Sequence, residues 1–190
     1  MLNLMKWLIR RRVQGFGRRY DYDVSYMNEI LDRDPHAFLK FSKLAELAGS
    51  PGPVPVSAWF GAKLAATLSE DCGPCTQLVT TMAAEAGVPA QVVRAIIEGD
   101  EANMNEEARL GWRFARTSLA HDAEADRWRE MIVARWGETA VVTLALGIAA
   151  TRMFPTIKYA MGHGKTCQRI HVDGMDLVPG QPLQQGVVAA

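Results

Sequence analysis

Apolar residues in this 190-residue chain recur mostly three and four positions apart, the spacing that places side chains on one face of an α-helix. Pro35 is typical of a first helical residue, and apolar residues at helical spacing follow it as far as Gly49. Three prolines between Ser50 and Pro55 cannot continue that helix, because they remove backbone donors and favour extended conformations. We therefore predict a helix from Pro35 to Gly49 and a linker after it.

The helical spacing continues through most of the remaining chain, divided by glycine, proline and capping residues. It predicts helices near residues 57–69, 74–86, 92–98, 105–119, 122–136 and 141–153. No βαβ alternation is visible, so the predicted class is all-α. We predict three parts: an N-terminal helical arm (1–50), a helical core that carries a cysteine pair (51–168) and an irregular C-terminal tail (169–190).

The segment from Val141 to Met153 is apolar on nearly all sides, which predicts a central place in a bundle or at a subunit interface. Pro155 should end this helix, with a short separate helix after it. The longest apolar stretch, Ala140 to Ala150, has eleven residues, and a bilayer requires about 20. We therefore expect no transmembrane helix.

Composition and cysteine usage indicate an ordinary globular protein. Hydrophobic residues make up 48% and charged residues 22%, so burial rather than disulfides should supply the stability. Three cysteines cannot form a framework: Cys72 and Cys75 lie three apart, and Cys167 lies far downstream. This usage favours a reducing compartment, and we predict a cytoplasmic location.

The net charge is zero, yet the first 19 residues hold six lysines and arginines and no acidic residue. Such a segment could lie on an anionic membrane surface, or dock on an acidic neighbour or a second subunit. Because ordered termini are usually tied down, we expect docking. We expect neither a signal peptide nor a nucleic-acid partner.

The segment Cys72-Gly73-Pro74-Cys75 stands at the predicted start of a helix. Unpaired N–H groups and the helix dipole favour a thiolate there, and the three-residue spacing places both sulfurs on one side of the first turn. Such a pair can be a redox dithiol, half of a metal site, or inert structure. We favour the redox interpretation, because only Cys167 and four scattered histidines could complete a metal site. No motif for a cofactor is present, so we predict none.

The same tetrapeptide occurs in thioredoxins, but there it follows a strand and a tryptophan, whereas here a helical pattern and Asp71 precede it. The order of motifs instead resembles the alkylhydroperoxidase D and carboxymuconolactone decarboxylase family. The motifs are the helix Ser57 to Ser69, the segment Asp71 to Leu78, Gly87-Val88-Pro89, Leu110 to Ala115 and the helical pair from Trp128 to Phe154. The resemblance implies an all-helical homo-oligomer in which Cys75 attacks the oxidant and Cys72 resolves the product into a disulfide.

The sequence departs from that family at two positions. Val79 stands where a relay histidine is expected, and Phe60 where a glutamate is expected. Because general acid–base catalysis contributes about 10²- to 10⁴-fold, we predict disulfide exchange more readily than efficient peroxide reduction. The expected partners are a hydroperoxide or a partner's disulfide, together with a protein or small-thiol reductant.

Two other functions stay open: a lactone enzyme like carboxymuconolactone decarboxylase, and a non-catalytic helical assembly module with a vestigial dithiol. Several polar residues could replace the missing relay or orient a substrate, although we expect each to be structural. They are Glu70, Asp71, Thr76, Gln77, His121 and His163.

Overall fold

The computed structural model describes residues 2–164 and 170–177, and this part of the chain is mostly helical. The helices are α1 (Leu2–Tyr20), α2 (Ser25–Arg33), α3 (Pro35–Gly49), α4 (Val56–Leu68), α5 (Gly73–Glu85), α6 (Ala90–Glu98), α7 (Glu106–Leu119), α8 (Glu124–Trp136) and α9 (Glu138–Ala160). The strands are β1 (Ile170–Val172) and β2 (Met175–Leu177). The prediction of a mostly helical chain is confirmed.

Two predicted helix starts are fixed by side-chain caps. Asp34 accepts hydrogen bonds from the backbone N–H groups of His36 and Ala37, both at 2.9 Å, and Pro35 begins α3. The Asn105 side chain accepts from the N–H of Ala108 at 2.8 Å and caps α7. These bonds satisfy donors that the first turn of a helix leaves unpaired.

The main hydrophobic core surrounds α4, which is buried continuously from Ala58 to Thr67 and packs most extensively against α7. The two helices approach at glycines. A Cβ added to Gly61 would lie 2.5 Å from the Ala108 carbonyl oxygen, and one on Gly111 would lie closer still to the backbone of Ala58. Backbone contact therefore requires glycine at both positions.

A second cluster joins the N-terminal arm to the bundle. Its buried members come from the arm and from the start of α5: Tyr22, Tyr26, Leu31, Phe38, Phe41, Cys72 and Cys75. Phe154 and Ile157 of α9 pack against it. The cysteine pair thus lies where the arm meets the bundle.

Helix α9 runs through Pro155, so the predicted break there was wrong. Thr151 before Pro155 and Lys158 after it are both buried, so tertiary packing holds the helix on both sides of the proline. The continuous helix is long and apolar enough to cross a membrane by length and composition, with mean hydropathy 1.6, unlike the eleven-residue stretch considered in the sequence. In the structure it packs against α3, α4, α7 and α8 and leaves Val142 and Leu146 exposed.

Residues 170–177 form an antiparallel hairpin, so the prediction of an irregular tail was wrong for this segment. Asp173 and Gly174 make the turn with positive φ, and Ile170 and Leu177 join the main core. Gln77 of α5 holds β1 through the His171 backbone, donating to its carbonyl at 3.2 Å and accepting from its N–H at 2.6 Å. Cys167 and residues 178–190 lie outside the described residues.

Candidate functional site

The cysteine pair occupies the first turn of α5. Cys72 is the N-cap residue and Cys75 follows one turn later, with their Cα atoms 5.3 Å apart and their sulfurs at disulfide distance. Asp71, which precedes the pair, has a positive φ of 48° that reverses the chain after α4. The first-turn position exposes the sulfurs to the positive end of the helix, which favours a thiolate in the reduced state.

The loop before the pair is fastened to α9. The Asp71 carbonyl accepts a hydrogen bond from the Tyr159 hydroxyl at 3.2 Å, and Glu70 forms an ion pair with Arg152. Thr156 also donates to Glu70, at 3.4 Å. Glu70 is therefore engaged in holding the loop rather than in acting on a sulfur.

Both cysteines are buried, with 2% of Cys72 and 4% of Cys75 exposed. The Cys75 sulfur lies 3.6 Å from the hydroxyl oxygen of Tyr22, which comes from the arm. Thr76 is buried and donates to the Cys72 carbonyl at 3.1 Å, an internal contact of α5. Only Cys75 of the pair lines the neighbouring cavity, so the two sulfurs have different surroundings.

That cavity has a volume of about 290 Å³, lies between the arm and the bundle, and is partly open to solvent. Most of its wall is apolar, including Val13, Phe16, Phe38, Phe41, Val79 and Phe154. Pockets of this size and character are typical of small-molecule sites. A molecule that reaches Cys75 through the cavity is therefore expected to be small and largely apolar.

Five buried polar side chains interrupt the apolar wall: Tyr22, Tyr26, Lys63, Thr67 and Thr151. Burial raises the pKa of both tyrosines, so they stay neutral at physiological pH and can donate hydrogen bonds. The Tyr26 hydroxyl interacts with that of Tyr22. The Thr151 hydroxyl has no hydrogen-bond partner, although buried hydroxyls are normally paired, and it can therefore bind a ligand.

Lys63 carries a positive charge into this environment from the middle of α4. Its Nζ donates to the Ala48 carbonyl at 2.6 Å and lies 5.5 Å from the ring centroids of Trp59 and Phe60. Burial lowers the pKa of Lys63 to about 8. A second buried lysine, Lys158, places its Nζ 4.8 Å from the centroid of the Tyr22 ring.

The other residues considered in the sequence do not replace the missing relay. Val79 is buried in the cavity wall, and Phe60 lies in the main core. The Nε2 atom of His163 is 2.7 Å from a Glu29 carboxylate oxygen, and His121 sits in a loop with positive φ. Neither histidine lines the cavity.

Sequence reasoning missed the arm tyrosines and Lys63. Lys63 did carry a signal, because it is the one charged residue of an otherwise apolar and small-residue helix. Tyr22 stands between two aspartates and reads as an exposed loop residue. Its contact with Cys75 spans 53 residues and arises only when the arm docks.

A metal would need ligands from elsewhere in the chain. Within residues 2–164 and 170–177, no three histidine, cysteine, aspartate or glutamate side chains come together as metal ligands do. The chemistry that these residues offer is that of the dithiol and of the phenol beside it.

The chain matches no protein-family model, no curated protein and no solved structure with which it was compared.

Proposed function

We propose that this chain is a thiol oxidoreductase of the peroxidase type, in which Cys75 attacks a small oxidant in the cavity and Cys72 resolves the product into a disulfide. The observation that carries the proposal is the asymmetry of the pair. Cys75 faces an apolar cavity and a phenol, while Cys72 stands at disulfide distance from it and away from the cavity wall.

Tyr22 supplies the proton-donating group that the sequence lacks at Val79 and Phe60. Its hydroxyl contacts the Cys75 sulfur, and burial keeps the phenol protonated by raising its pKa. A neutral donor at this position stabilises the thiolate and can hydrogen-bond to the alkoxide that leaves.

The reaction balances with a hydroperoxide as the oxidant. The Cys75 thiolate attacks the terminal oxygen, the O–O bond breaks, and the leaving alkoxide takes a proton to become an alcohol. Cys72 then attacks the sulfenic acid of Cys75, which forms the disulfide and releases water. One dithiol and one hydroperoxide thus give a disulfide, an alcohol and water, and a thiol reductant must restore the dithiol.

Burial favours a small oxidant over the disulfide of a partner protein. Thiol–disulfide exchange needs access to the attacked sulfur, and here both cysteines are almost completely covered. A hydroperoxide or a small disulfide can enter the cavity, whereas a folded protein cannot. Because the disulfide must be reduced again after each cycle, a reducing compartment such as the cytoplasm suits the reaction.

The first test counts thiols in a Cys167→Ser background, so that only the pair reacts. Reduced protein is mixed with one equivalent of cumene hydroperoxide, and free thiols and intact mass are followed. We expect an intramolecular disulfide, a trappable sulfenic acid in Cys72→Ser, and no reaction in Cys75→Ser. Unreacted thiols in the parent, or full reactivity in Cys75→Ser, would refute the proposal.

A second test concerns Tyr22. Hydrogen bonds to charged groups contribute about 1.5–3 kcal/mol, so Tyr22→Phe should slow oxidation of Cys75 about tenfold or more. Tyr20→Phe is the matched control, because the Tyr20 hydroxyl binds Glu85 at 2.8 Å and does not line the cavity. Equal rates in the two variants would exclude Tyr22 from the reaction.

We also propose that the chain is a distant homo-oligomeric relative of the alkylhydroperoxidase D and carboxymuconolactone decarboxylase family. The order of α4, the dithiol turn and α5 supports this relationship. The outer face of α9 supports assembly, since Val142, Leu146 and Met153 are 58%, 47% and 39% exposed along one helix. A second copy that packs along this face would bury the stripe.

A further inference from the structure

The charges around the cavity are of one sign. Arg12, which is exposed, and Lys63, which is buried, both line it. Among the described residues, none of the side chains that line the cavity is acidic. The cavity therefore presents an electropositive interior to any molecule that enters.

Lys63 has an incomplete set of partners in this setting. An ammonium group has three donors, and the hydrogen bond to the Ala48 carbonyl uses one of them. The nearby Trp59 and Phe60 rings attract the charge but accept no conventional hydrogen bond. A buried charge without a carboxylate partner is costly and is normally retained for a ligand or a reaction.

Thr151 is a second group in the cavity with an unused hydrogen bond. Its side chain is buried and lines the cavity, and its hydroxyl has no hydrogen-bond partner. That hydroxyl can donate a hydrogen bond to an oxygen atom of a ligand. One cation and one unpaired donor in an apolar cavity match a molecule with an anionic oxygen group and a hydrocarbon body.

We propose that the cavity binds an apolar monocarboxylate, whose carboxylate pairs with Lys63 and whose hydrocarbon body lies against the phenylalanines toward Cys75. A cavity of about 150 Å³ holds one benzene, so 290 Å³ accommodates about twelve non-hydrogen atoms. As a substrate of the dithiol reaction, such a monocarboxylate would also carry a hydroperoxide group on its hydrocarbon body, as the oxidant that Cys75 attacks, and this part of the assignment rests on the proposed function. Binding of the carboxylate itself needs no reactive thiol.

The test therefore measures binding separately from chemistry. Decanoate and 1-decanol, which have nearly the same hydrocarbon body, are titrated by calorimetry into the full chain with both Cys72 and Cys75 changed to serine. We expect decanoate to bind at least about tenfold more tightly than the alcohol, because a charge-assisted hydrogen bond is stronger than a neutral one. Lys63→Met should abolish that preference.

Lys43→Met is the matched control, because Lys43 is an exposed lysine of α3 that does not line the cavity, and it should leave decanoate binding unchanged. The assignment is overturned if the double-serine chain binds neither compound, or if Lys63→Met binds decanoate as tightly as its parent. Decanoate binding in a chain whose native dithiol resists every hydroperoxide would sustain the ligand site and refute the proposed function. Oxidation of the dithiol without decanoate binding would sustain the proposed function and refute the ligand site.

Discussion

Replacing Lys63 by methionine removes a buried ammonium group and keeps an unbranched side chain of similar length. Burial lowers the pKa of Lys63 from 10.5 to about 8, so folding the charged form at pH 7 costs about 3 kcal/mol. The variant loses the hydrogen bond from the charged ammonium to Ala48, which contributes about 2 kcal/mol. We therefore expect Lys63→Met to be more stable than the wild type by about 1 kcal/mol, or about 2–4 °C in melting temperature.

The pH dependence of this stability difference shows whether the buried charge of Lys63 is its cause. Because the folded-state pKa is lowered, the unfolded chain binds more protons between pH 8 and 10.5, and wild-type stability rises as the pH rises through this window. The advantage of Lys63→Met should therefore shrink by about 1 kcal/mol between pH 7 and pH 9. Contributions from the buried tyrosines are present in both proteins and cancel in the difference.

Urea unfolding at pH 7, 8 and 9 provides the measurement, with Lys43→Met as the control for removing a lysine from an exposed position. The control should change stability by less than about 0.5 kcal/mol at every pH. A Lys63→Met variant that is no more stable than the wild type at pH 7, or a difference that does not narrow as the pH rises, would contradict a destabilising buried charge at Lys63.

Three further predictions concern packing, assembly and acid sensitivity. Gly111→Ala should destabilise the fold by about 1–3 kcal/mol, because its Cβ would meet the α4 backbone. Gly15→Ala, in the open face of α1, should not destabilise it. The urea midpoints of the two variants, compared with the wild type, provide the measurement. Leu146→Lys should reduce the mass measured by light scattering to that of one chain, and a monomeric wild type would contradict assembly through α9. The hydrogen bond with His163 lowers the pKa of Glu29. The ionised Glu29 side chain therefore stabilises the fold above about pH 4.5, and this stabilisation is lost as the pH falls through the lowered pKa. The urea midpoint of His163→Phe should fall less steeply than that of the wild type below about pH 4.5.

The parts of the fold that could be predicted depend on local chemistry. Asn105 could be assigned as a cap because its side chain bonds to an N–H three residues away. Pro35 and Gly49 mark the ends of α3 for similar reasons. The cysteine turn likewise follows from three-residue spacing at a helix start, which needs no tertiary contact.

The parts that could not be predicted depend on packing between distant segments. Pro155 remains helical because buried residues on both sides hold the helix, which periodicity does not reveal. The hairpin at residues 170–177 has an Asp173-Gly174 turn signal, but its three-residue strands are too short for alternation to indicate them. The Tyr22 contact with Cys75 requires the arm to dock, and no local pattern encodes it.

The arm supplies part of the cavity wall, yet its buried residues form a cluster separate from the core around α4. Substitutions at Val13, Phe16 or Phe38 would therefore reshape the cavity without changing the packing of α4 against α7. Substitutions in the arm can therefore change which ligands the cavity accepts without lowering the stability of the bundle. Related chains are expected to differ most in their first fifty residues and to preserve the glycine contacts between α4 and α7.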